Sequence, residues 1–380
     1  YVRDKVNEIY SHSADIRSVS EDASKPIRTL SVRIIAPSDK YTNQQIVVLL
    51  PNVRKPVPLF IVMRALGIVS DKSIIEYCLL DLTKYKSYLP LFIPCIHDSG
   101  MIFSQEQALK YIATFTKHKT ISHALEILTN YFLPHIGEMN FIAKAYYLGH
   151  MVREVLRVYI KDTKATDRDN YKYKRVELPG SLLYDLFKEY MNLQQKNIYQ
   201  RIDKEYTYKQ GLYKTNFTGL IEQNYREIFS ERMIEAGFRK GFKGNWGSDN
   251  QTSRLGIVQT LNRLSYNSSL SHLRKINLPL DASAKVIGPR LLHGTQWGVI
   301  DPFDTPDGAN VGLHKHLSLA TSITTNVSSK ALIEWLMQFG IHKLEEHSPF
   351  YNGTMTKIIV NGNWIGVYDK AKDFVDSIKQ

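Results

Sequence analysis

The sequence predicts an α+β fold of several domains, in which mixed helices accompany small antiparallel sheets. Two segments, residues 27–51 and 355–368, have the strand–turn–strand pattern of β-hairpins. Four other segments carry apolar residues at helical spacing. The length of 380 residues, with 43% hydrophobic content, suits two or three domains better than one.

Two hairpins account for the predicted sheets. Residues 27–51, "IRTLSVRIIAPSDKYTNQQIVVLLP", hold two β-branched, partly alternating runs on either side of a polar Ser-Asp-Lys turn. Residues 355–368, "MTKIIVNGNWIGVY", place Asn-Gly between two apolar runs, which is a strong signal for a tight turn.

Helical spacing predicts four helices, over residues 70–83, 104–116, 141–160 and 182–206. The first has Ser70 at its N-cap position, and the second starts with the capping-box pair Ser104 and Gln107. Between the third and the fourth helix, residues 161–175 contain no large aliphatic side chain. We therefore expect that stretch to contribute nothing to a core.

The cysteine content and the apolar runs exclude several classes of protein. Cys78 and Cys95 are the only cysteines and form no CxxC pair, so we expect no zinc ribbon in this span, no disulfide framework and a reducing intracellular compartment. The longest apolar run, residues 57–69, contains Arg64 and is too short to cross a bilayer. No membrane span is predicted.

The charge balance favours a polyanionic partner. The net charge is +12 and the pI about 9.3. Residues 144–175 contain nine basic and four acidic residues, a net of +5. Residues 251–290 also have a net charge of +5, from one acid, Asp281, and six bases: Arg254, Arg263, Arg274, Lys275, Lys285 and Arg290. Because surface ion pairs need acids, this shortage favours nucleic-acid contact over a solvated face with scattered ion pairs.

The segment "GTQWGVIDPFDTPDG", residues 294–308, combines turn formers with three carboxylates. Two prolines restrict the backbone, and Thr-Pro-Asp-Gly is a turn signature, so we expect a stiff loop. Asp301, Asp304 and Asp307 recur at every third position. They could hold a divalent metal for phosphoryl transfer, or each could cap a turn or pair with a nearby arginine. The absence of a tighter DxD cluster favours the second interpretation, and no metal site is predicted.

Two shorter patterns also admit a metal. In "HKH", His314 and His316 fall on one face of a strand-like run with no third ligand, so surface or subunit contact is expected. In "DRD", residues 167–169, the basic surroundings favour ion pairing.

Several motifs together resemble a known family. The segments "SYNSSLSHLRKINLPL", "GPRLLHGTQWGVIDPFDTPDGANVGLHKHLSL" and "DRDNYKYKR" are similar to the second-largest subunit of multisubunit DNA-directed RNA polymerases, of the eukaryotic, archaeal and large-DNA-virus type. "KPVPLFIVMRALGIVSDKSIIEY", "YYLGHM" and "VNGNWIGV" match in the same order, so the resemblance spans nearly the whole chain. The chain departs from the family pattern where Asp301 replaces a cysteine and where Asp304 and Asp307 replace glutamates.

The resemblance implies a fragment of a longer subunit, with a definite order of substructures. Residues 1–18 would end the protrusion, residues 19–178 would form the lobe, and residues 179–230 would be return helices of the protrusion. Residues 231–320 would form the fork, and residues 321–380 would start the external region.

The resemblance also implies roles for single residues. No catalytic residue is expected in this span, because the Asp triad that holds Mg²⁺ belongs to the largest subunit, and zinc is expected only in the missing C-terminal part. Pro306 and Trp297 are expected to shape the loop together with Asp304. Six residues are expected near nucleic acid or nucleotide: Arg290, Asp307, Arg274, Lys275, Arg263 and Lys285.

The implied function is part of a DNA-directed RNA polymerase, a nucleotidyltransferase. The fork and lobe would help to hold downstream DNA and the RNA–DNA hybrid beside the active centre during NTP-dependent RNA synthesis, and this fragment alone would be inactive. The expected partners are the largest subunit, smaller assembly subunits, the DNA template, the RNA–DNA hybrid and NTPs, with no membrane.

Two alternatives remain open. One is a nucleic-acid-binding relative that has lost polymerase activity, and the other is a self-contained metal phosphotransferase using the three aspartates. The many Lys, Ile and Tyr residues, with 23 Tyr, suit a large DNA virus or a divergent eukaryote. The expected compartment is therefore the nucleus, or a cytoplasmic virus factory or virion.

Overall fold

The chain forms two compact units, Tyr1–Arg168 with Thr325–Gln380, and Asp169–Thr324. A computed structural model describes residues 1–22, 25, 27–37, 44–208, 213, 216–249, 253–325 and 327–379. Helices and small antiparallel sheets build the units, which confirms the α+β prediction. The division into five substructures stays a prediction.

A five-stranded antiparallel sheet opens the first unit. Its strands lie in chain order: β1 (Val2–Asp4), β2 (Tyr10–Ser18), β3 (Arg28–Ile35), β4 (Ile46–Leu49) and β5 (Val57–Pro58). Ser31 pairs with Leu49 and Ile34 with Ile46, which confirms the hairpin predicted over residues 27–51. Its Ser-Asp-Lys turn, residues 38–40, lies outside the described residues.

Six α-helices follow the sheet: α1 (Leu59–Ala65), α2 (Asp71–Leu79), α3 (Ile93–Asp98), α4 (Gln105–Thr114), α5 (Ile121–Glu126) and α6 (Phe141–Tyr159). Three of the helix predictions are confirmed by α2, α4 and α6. The Ser104–Gln107 capping box is formed at the start of α4. Ser70 occupies the N-cap of α2, but its side chain makes no capping hydrogen bond.

One large core joins the sheet to these helices. Leu30, Val32 and Ile34 of β3 face it, and every residue of α1 is buried. Cys78 and Cys95 lie in this core as free thiols, and burial raises the pKa of Cys95 to about 12 and that of Cys78 still further. Buried thiols with a raised pKa are unreactive, because little thiolate forms.

Gly149 lets α6 approach α2 closely. A Cβ at this position would lie 2.4 Å from the carbonyl oxygen of Tyr77 and 3.0 Å from the Cα of Cys78. Both are backbone atoms, so a side chain could be accommodated only if one helix moved.

We expect Gly149→Ala to destabilise the first unit by about 1–3 kcal/mol, because it overpacks the contact between α2 and α6. Native-state hydrogen exchange of the α6 amides measures this loss. Gly180→Ala is the matched control, since Gly180 has no atom within 4 Å of a built Cβ and the change should stabilise its own helix by several tenths of a kcal/mol. Unchanged protection in Gly149→Ala would contradict the close approach.

The second unit is mainly helical and has small cores. It contains α7 (Pro179–Tyr208), α8 (Phe217–Ile228), α9 (Met233–Phe242), α10 (Tyr266–Leu273), and the strands β6 (Lys275–Asn277) and β7 (His314–His316). The fourth predicted helix is confirmed by α7. Leu186, Tyr190 and Trp246 form one buried cluster, and Tyr213, Leu220 and Ile228 form another.

Residues 325–379 return to the first unit as α11 (Lys330–Gln338), α12 (Pro349–Thr354), β8 (Thr356–Val360), β9 (Asn363–Tyr368) and α13 (Ala371–Lys379). The hairpin of β8 and β9 confirms the second hairpin prediction. Asn361 and Gly362 both have positive φ, 49° and 80°, as an Asn-Gly turn of this type requires. Among the described residues, no helix is long and apolar enough to cross a membrane.

Candidate nucleic-acid interface

A two-stranded ribbon is the scaffold of the candidate interface. Strand β6 follows α10 directly and pairs antiparallel with β7, with Lys275 opposite His316 and Asn277 opposite His314. The α10 helix begins at a capping box of Ser265 and Ser268. The chain between the strands, residues 278–313, carries most of the predicted site residues.

Arg290 ties two parts of this connection together. One guanidinium nitrogen donates to the carbonyl oxygens of Ala309 at 2.7 Å and Val311 at 2.9 Å. The other donates to those of Ala282 at 2.9 Å and Ala284 at 3.3 Å. The planar fork of arginine is suited to this bridging. Arg290 is therefore a positioning residue inside the unit.

The backbone of Arg290 also sets a requirement for glycine. Gly312 has a φ of +71°, and a Cβ there would lie 2.3 Å from the carbonyl oxygen of Arg290. Only glycine combines this conformation with so close an approach.

The predicted basic pair divides into two roles. The Arg274 side chain donates to the carbonyl oxygens of Ser318 and Leu319, while its own carbonyl accepts from Leu317 at 3.1 Å. The Lys275 side chain is exposed. Arg274 thus braces the segment after β7, and Lys275 is available to a partner.

Half of the six cations between residues 251 and 290 are occupied within the unit. Arg254 pairs with Glu177 at 2.7 Å. Glu177 lies outside residues 251–290, the stretch in which acids are scarce. Arg274 and Arg290 are bound to carbonyl oxygens. In the described part of the chain, no hydrogen bond or ion pair engages the exposed side chains of the other three, which are Arg263, Lys275 and Lys285.

The three carboxylates do not converge on one point. Asp301 accepts from the backbone N–H groups of Phe303 at 2.9 Å and Asp304 at 3.2 Å, and these bonds lower its pKa. Asp304 reaches His316, whereas exposed Asp307 contacts no hydrogen-bonding or charged partner among the described residues. The turn-capping alternative is confirmed for Asp301. For Asp304 the expectation of a turn cap or an arginine partner is wrong, because its partner among the described residues is His316. The prediction that no metal binds here stays untested.

His316 holds the loop from inside the unit. It is 7% exposed, and its Nδ1 lies 3.1 Å from a carboxylate oxygen of Asp304 and 3.2 Å from the Ser271 hydroxyl. Burial lowers its pKa, although the Asp304 carboxylate opposes the shift; with a proton on Nδ1, the ring donates to that carboxylate. The surface position expected for this histidine is wrong, and the alternative of a subunit contact stays a prediction.

Thr305 completes the loop, although it was not among the residues predicted from the sequence. Its hydroxyl donates to the carbonyl oxygen of His314 at 3.0 Å and accepts from the N–H of Gly312 at 2.9 Å. Its position before Pro306 could have signalled this role, because a Thr-Pro step fixes the backbone on which the hydroxyl sits. The loop is therefore held at Asp301, Asp304 and Thr305.

Large aromatic and aliphatic side chains are exposed around the ribbon. Trp297 is 91% exposed and Phe303 is 90% exposed, and such rings can stack on bases or bury against a protein. Leu264, Leu273 and Leu319 are also largely exposed. This much exposed apolar surface is typical of a chain that has a partner. The structural role of Trp297 and of the half-buried Pro306 stays a prediction.

Comparison with known families agrees with these features. Residues 29–177 match the family model described as RNA polymerase Rpb2, domain 2, and residues 259–323 match that for RNA polymerase Rpb2, domain 3. The first match covers the five-stranded sheet from β3 onward, and the second covers the ribbon and its loop. The chain belongs to the family of second-largest RNA polymerase subunits.

Curated relatives extend the match over almost the whole chain. DNA-directed RNA polymerase II subunit RPB2 of Schizosaccharomyces pombe is 32% identical over 97% of this chain. DNA-directed RNA polymerase II subunit 2 of Arabidopsis thaliana is 34% identical over 98% of it, and DNA-directed RNA polymerase subunit Rpo2 of Sulfolobus acidocaldarius is 29% identical over 85%. The chain spans 29–31% of the length of these relatives.

Proposed function

We propose that the chain acts within a DNA-directed RNA polymerase, where its fork and lobe help to hold downstream DNA and the RNA–DNA hybrid beside the active centre. Membership of the family of second-largest RNA polymerase subunits supports a role in a polymerase. The unpartnered cations of the ribbon support the contact with nucleic acid. The partners are the largest subunit, smaller assembly subunits, DNA, RNA and NTPs. The compartment is the nucleus, or a virus factory or virion if the source is viral.

The observation that carries this proposal is the set of three free cations on a stiff support. Lys275 starts β6, Arg263 lies just before α10, and Lys285 lies beside the carbonyls that Arg290 clamps. A phosphate that approaches meets cations with no internal partner, so no ion pair has to be broken. The clamped loop also costs little entropy to order.

The remaining site residues act by orientation. Arg290 and Arg274 fix the backbone on which the free cations stand, and Asp304 fixes His316. The free carboxylate of Asp307 can accept a hydrogen bond from a ribose hydroxyl or from a cation of the adjoining subunit. Mg²⁺ would be held mainly by the largest subunit and would neutralise charge in nucleotidyl transfer, while this chain alone would be inactive.

The triple variant Arg263→Gln, Lys275→Gln, Lys285→Gln should weaken nucleic-acid binding by the assembled polymerase in a salt-dependent way. Each lost phosphate contact lowers the slope of log K against log salt by roughly 0.7–0.9, so the slope should fall by about 2–3. Fluorescence anisotropy with an RNA–DNA scaffold, measured at several salt concentrations, tests this.

Lys370, Lys372 and Lys379, all exposed near α13, provide a control with the same change of charge. Their triple change to Gln should leave the slope unaltered. Equal slopes in both triple variants would contradict the proposed contact.

The alternative is a nucleic-acid-binding relative without polymerase activity, which the same cations would also serve. Primer extension by the full-length subunit assembled with its largest subunit separates the two, because the alternative predicts binding without NTP-dependent extension. The self-contained phosphotransferase is disfavoured, since the three carboxylates do not converge: Asp301 caps a turn, Asp304 reaches His316, and Asp307 has no polar partner among the described residues.

A further inference from the structure

We propose that His342, Glu346 and His347 form a site for a divalent transition-metal ion of the zinc type in the first unit. In the described part of the chain, they are the one group of three His, Cys, Asp or Glu residues whose ligand atoms all lie within 4.8 Å of one another. This site lies outside the ribbon and does not depend on the proposed function.

The donor set selects the class of ion. Two imidazoles and one carboxylate suit borderline metals such as Zn²⁺ or Co²⁺, whereas Mg²⁺ and Ca²⁺ prefer oxygen ligands throughout. Zn²⁺ takes nitrogen and oxygen ligands at about 2 Å, so two tetrahedral ligand atoms lie about 3.3 Å apart. Nδ1 of His342 and Oε2 of Glu346 are 3.7 Å apart, which leaves only a small adjustment for that pair.

The backbone that carries His342 is fixed by the hairpin of β8 and β9. His342 and Val367 exchange both backbone hydrogen bonds, at 3.1 Å and 2.9 Å. Gly366 allows the close approach, because a Cβ there would lie 2.5 Å from the carbonyl oxygen of His342. The first ligand is therefore held before any ion arrives.

Glu346 and His347 are held by a turn with a buried anchor. The fully buried amide of Asn352 donates to the carbonyl oxygens of Leu344 at 3.0 Å and His347 at 3.5 Å. The N–H of Lys343 donates at 3.1 Å to Oε2 of Glu346, the same oxygen that faces His342. A hydrogen bond to a ligand's carboxylate of this kind orients the ligand and raises metal affinity.

His347 supplies an independent sign of a missing partner. Its Nε2 is closed to solvent and has no hydrogen-bond partner among the described residues. Its ring stands edge-on to that of His342, with centroids 4.8 Å apart. A buried ring nitrogen without a partner is unfavourable, and an ion held by this nitrogen would satisfy it. Glu346 is exposed, which leaves a fourth position open to water.

Titration of the metal-free 380-residue chain with Co²⁺, followed by visible absorption, tests the site. We expect one equivalent to bind with the intense bands of low-coordinate cobalt, and Zn²⁺ to displace it. Binding should also slow hydrogen exchange of the amides of residues 342–347, and affinity should fall in acid, because the imidazoles must be neutral to bind.

Variants of single ligands decide the outcome. Glu346→Gln, a mild change on an exposed turn, and His347→Ala should each lower Co²⁺ affinity at least about tenfold. His123→Ala is the matched control. Nδ1 of His123 lies 3.2 Å from Oε2 of Glu126, and its ring centroid lies 4.7 Å from that of His118. In the described part of the chain, these three residues form no group of converging ligand atoms. Absent stoichiometric binding, or equal affinity in the ligand variants and the wild type, would overturn the proposal.

Discussion

Arg64→Met should destabilise the first unit by about 2–4 kcal/mol, because three backbone carbonyls lose the donor of a buried guanidinium, whereas its carboxylate partner Asp71 is 39% exposed. Arg64 is 2% exposed and lies in α1, every residue of which is buried. Its guanidinium donates to the carbonyl oxygens of Ser99 at 3.2 Å and Val69 at 3.3 Å, and also to that of Ile102 and to the carboxylate of Asp71.

Methionine keeps much of the volume of Arg64 but leaves these acceptors without their donor. Three of them are backbone carbonyls in the turns after α1 and α3, so the loss should loosen both turns. Hydrogen exchange of the β3 and α1 amides reports the stability of this unit without assuming that the whole chain unfolds in one step.

Arg157→Met is the matched control for Arg64. The Arg157 side chain is 31% exposed and contacts Glu154 at 3.5 Å and Asp162 at 3.1 Å near the surface, where such pairs contribute at most about 1 kcal/mol. Losses of similar size in the two variants would contradict the importance of the buried network.

The sequence predicted local structure well because the relevant signals are local. The Asn361-Gly362 turn, the Ser104–Gln107 capping box and the apolar spacing of α6 each lie within a few residues of what they determine. Arg64, in contrast, looked like an interruption of an apolar run. Two of its partners, Ser99 and Ile102, are 35 and 38 residues away, so no local pattern could show that the charge is buried and satisfied.

The same limit applies to the candidate site. The sequence between residues 251 and 290 shows a basic stretch, but it does not show which of the six cations are bound within the fold. Arg290 and Arg274 are occupied by carbonyl oxygens, and carbonyls are present at every position of a sequence. Which cation finds them depends on how the loop closes. The stiff loop was predictable from its prolines, whereas the contact between His316 and Asp304 depends on the pairing of β6 with β7.

Among the changes at the candidate interface, Arg290→Ala should have the largest effect. Four carbonyl oxygens lose their shared donor, and water can replace it only in part, so protection of the loop amides between residues 278 and 313 should fall by about 2–3 kcal/mol. Arg232→Ala is the control, since the Arg232 side chain is 83% exposed and its one ion pair among the described residues is with Glu235, at 3.6 Å. The loss of protection in this variant should stay within about 0.5 kcal/mol.

Arg290→Lys separates positioning from direct contact with phosphate. A lysine keeps the positive charge but cannot span four carbonyls with one nitrogen. If Arg290 positions the loop, Arg290→Lys should lose the hydrogen-exchange protection of the loop, and the assembled polymerase that carries it should lose RNA synthesis. Arg290→Ala should then bind the scaffold with the same salt slope as the wild-type enzyme. If Arg290 instead contacts phosphate, lysine should restore binding, and alanine should lower the slope by about one contact. The four carbonyl bonds predict the first outcome, because a guanidinium engaged in this way has little capacity left for a phosphate.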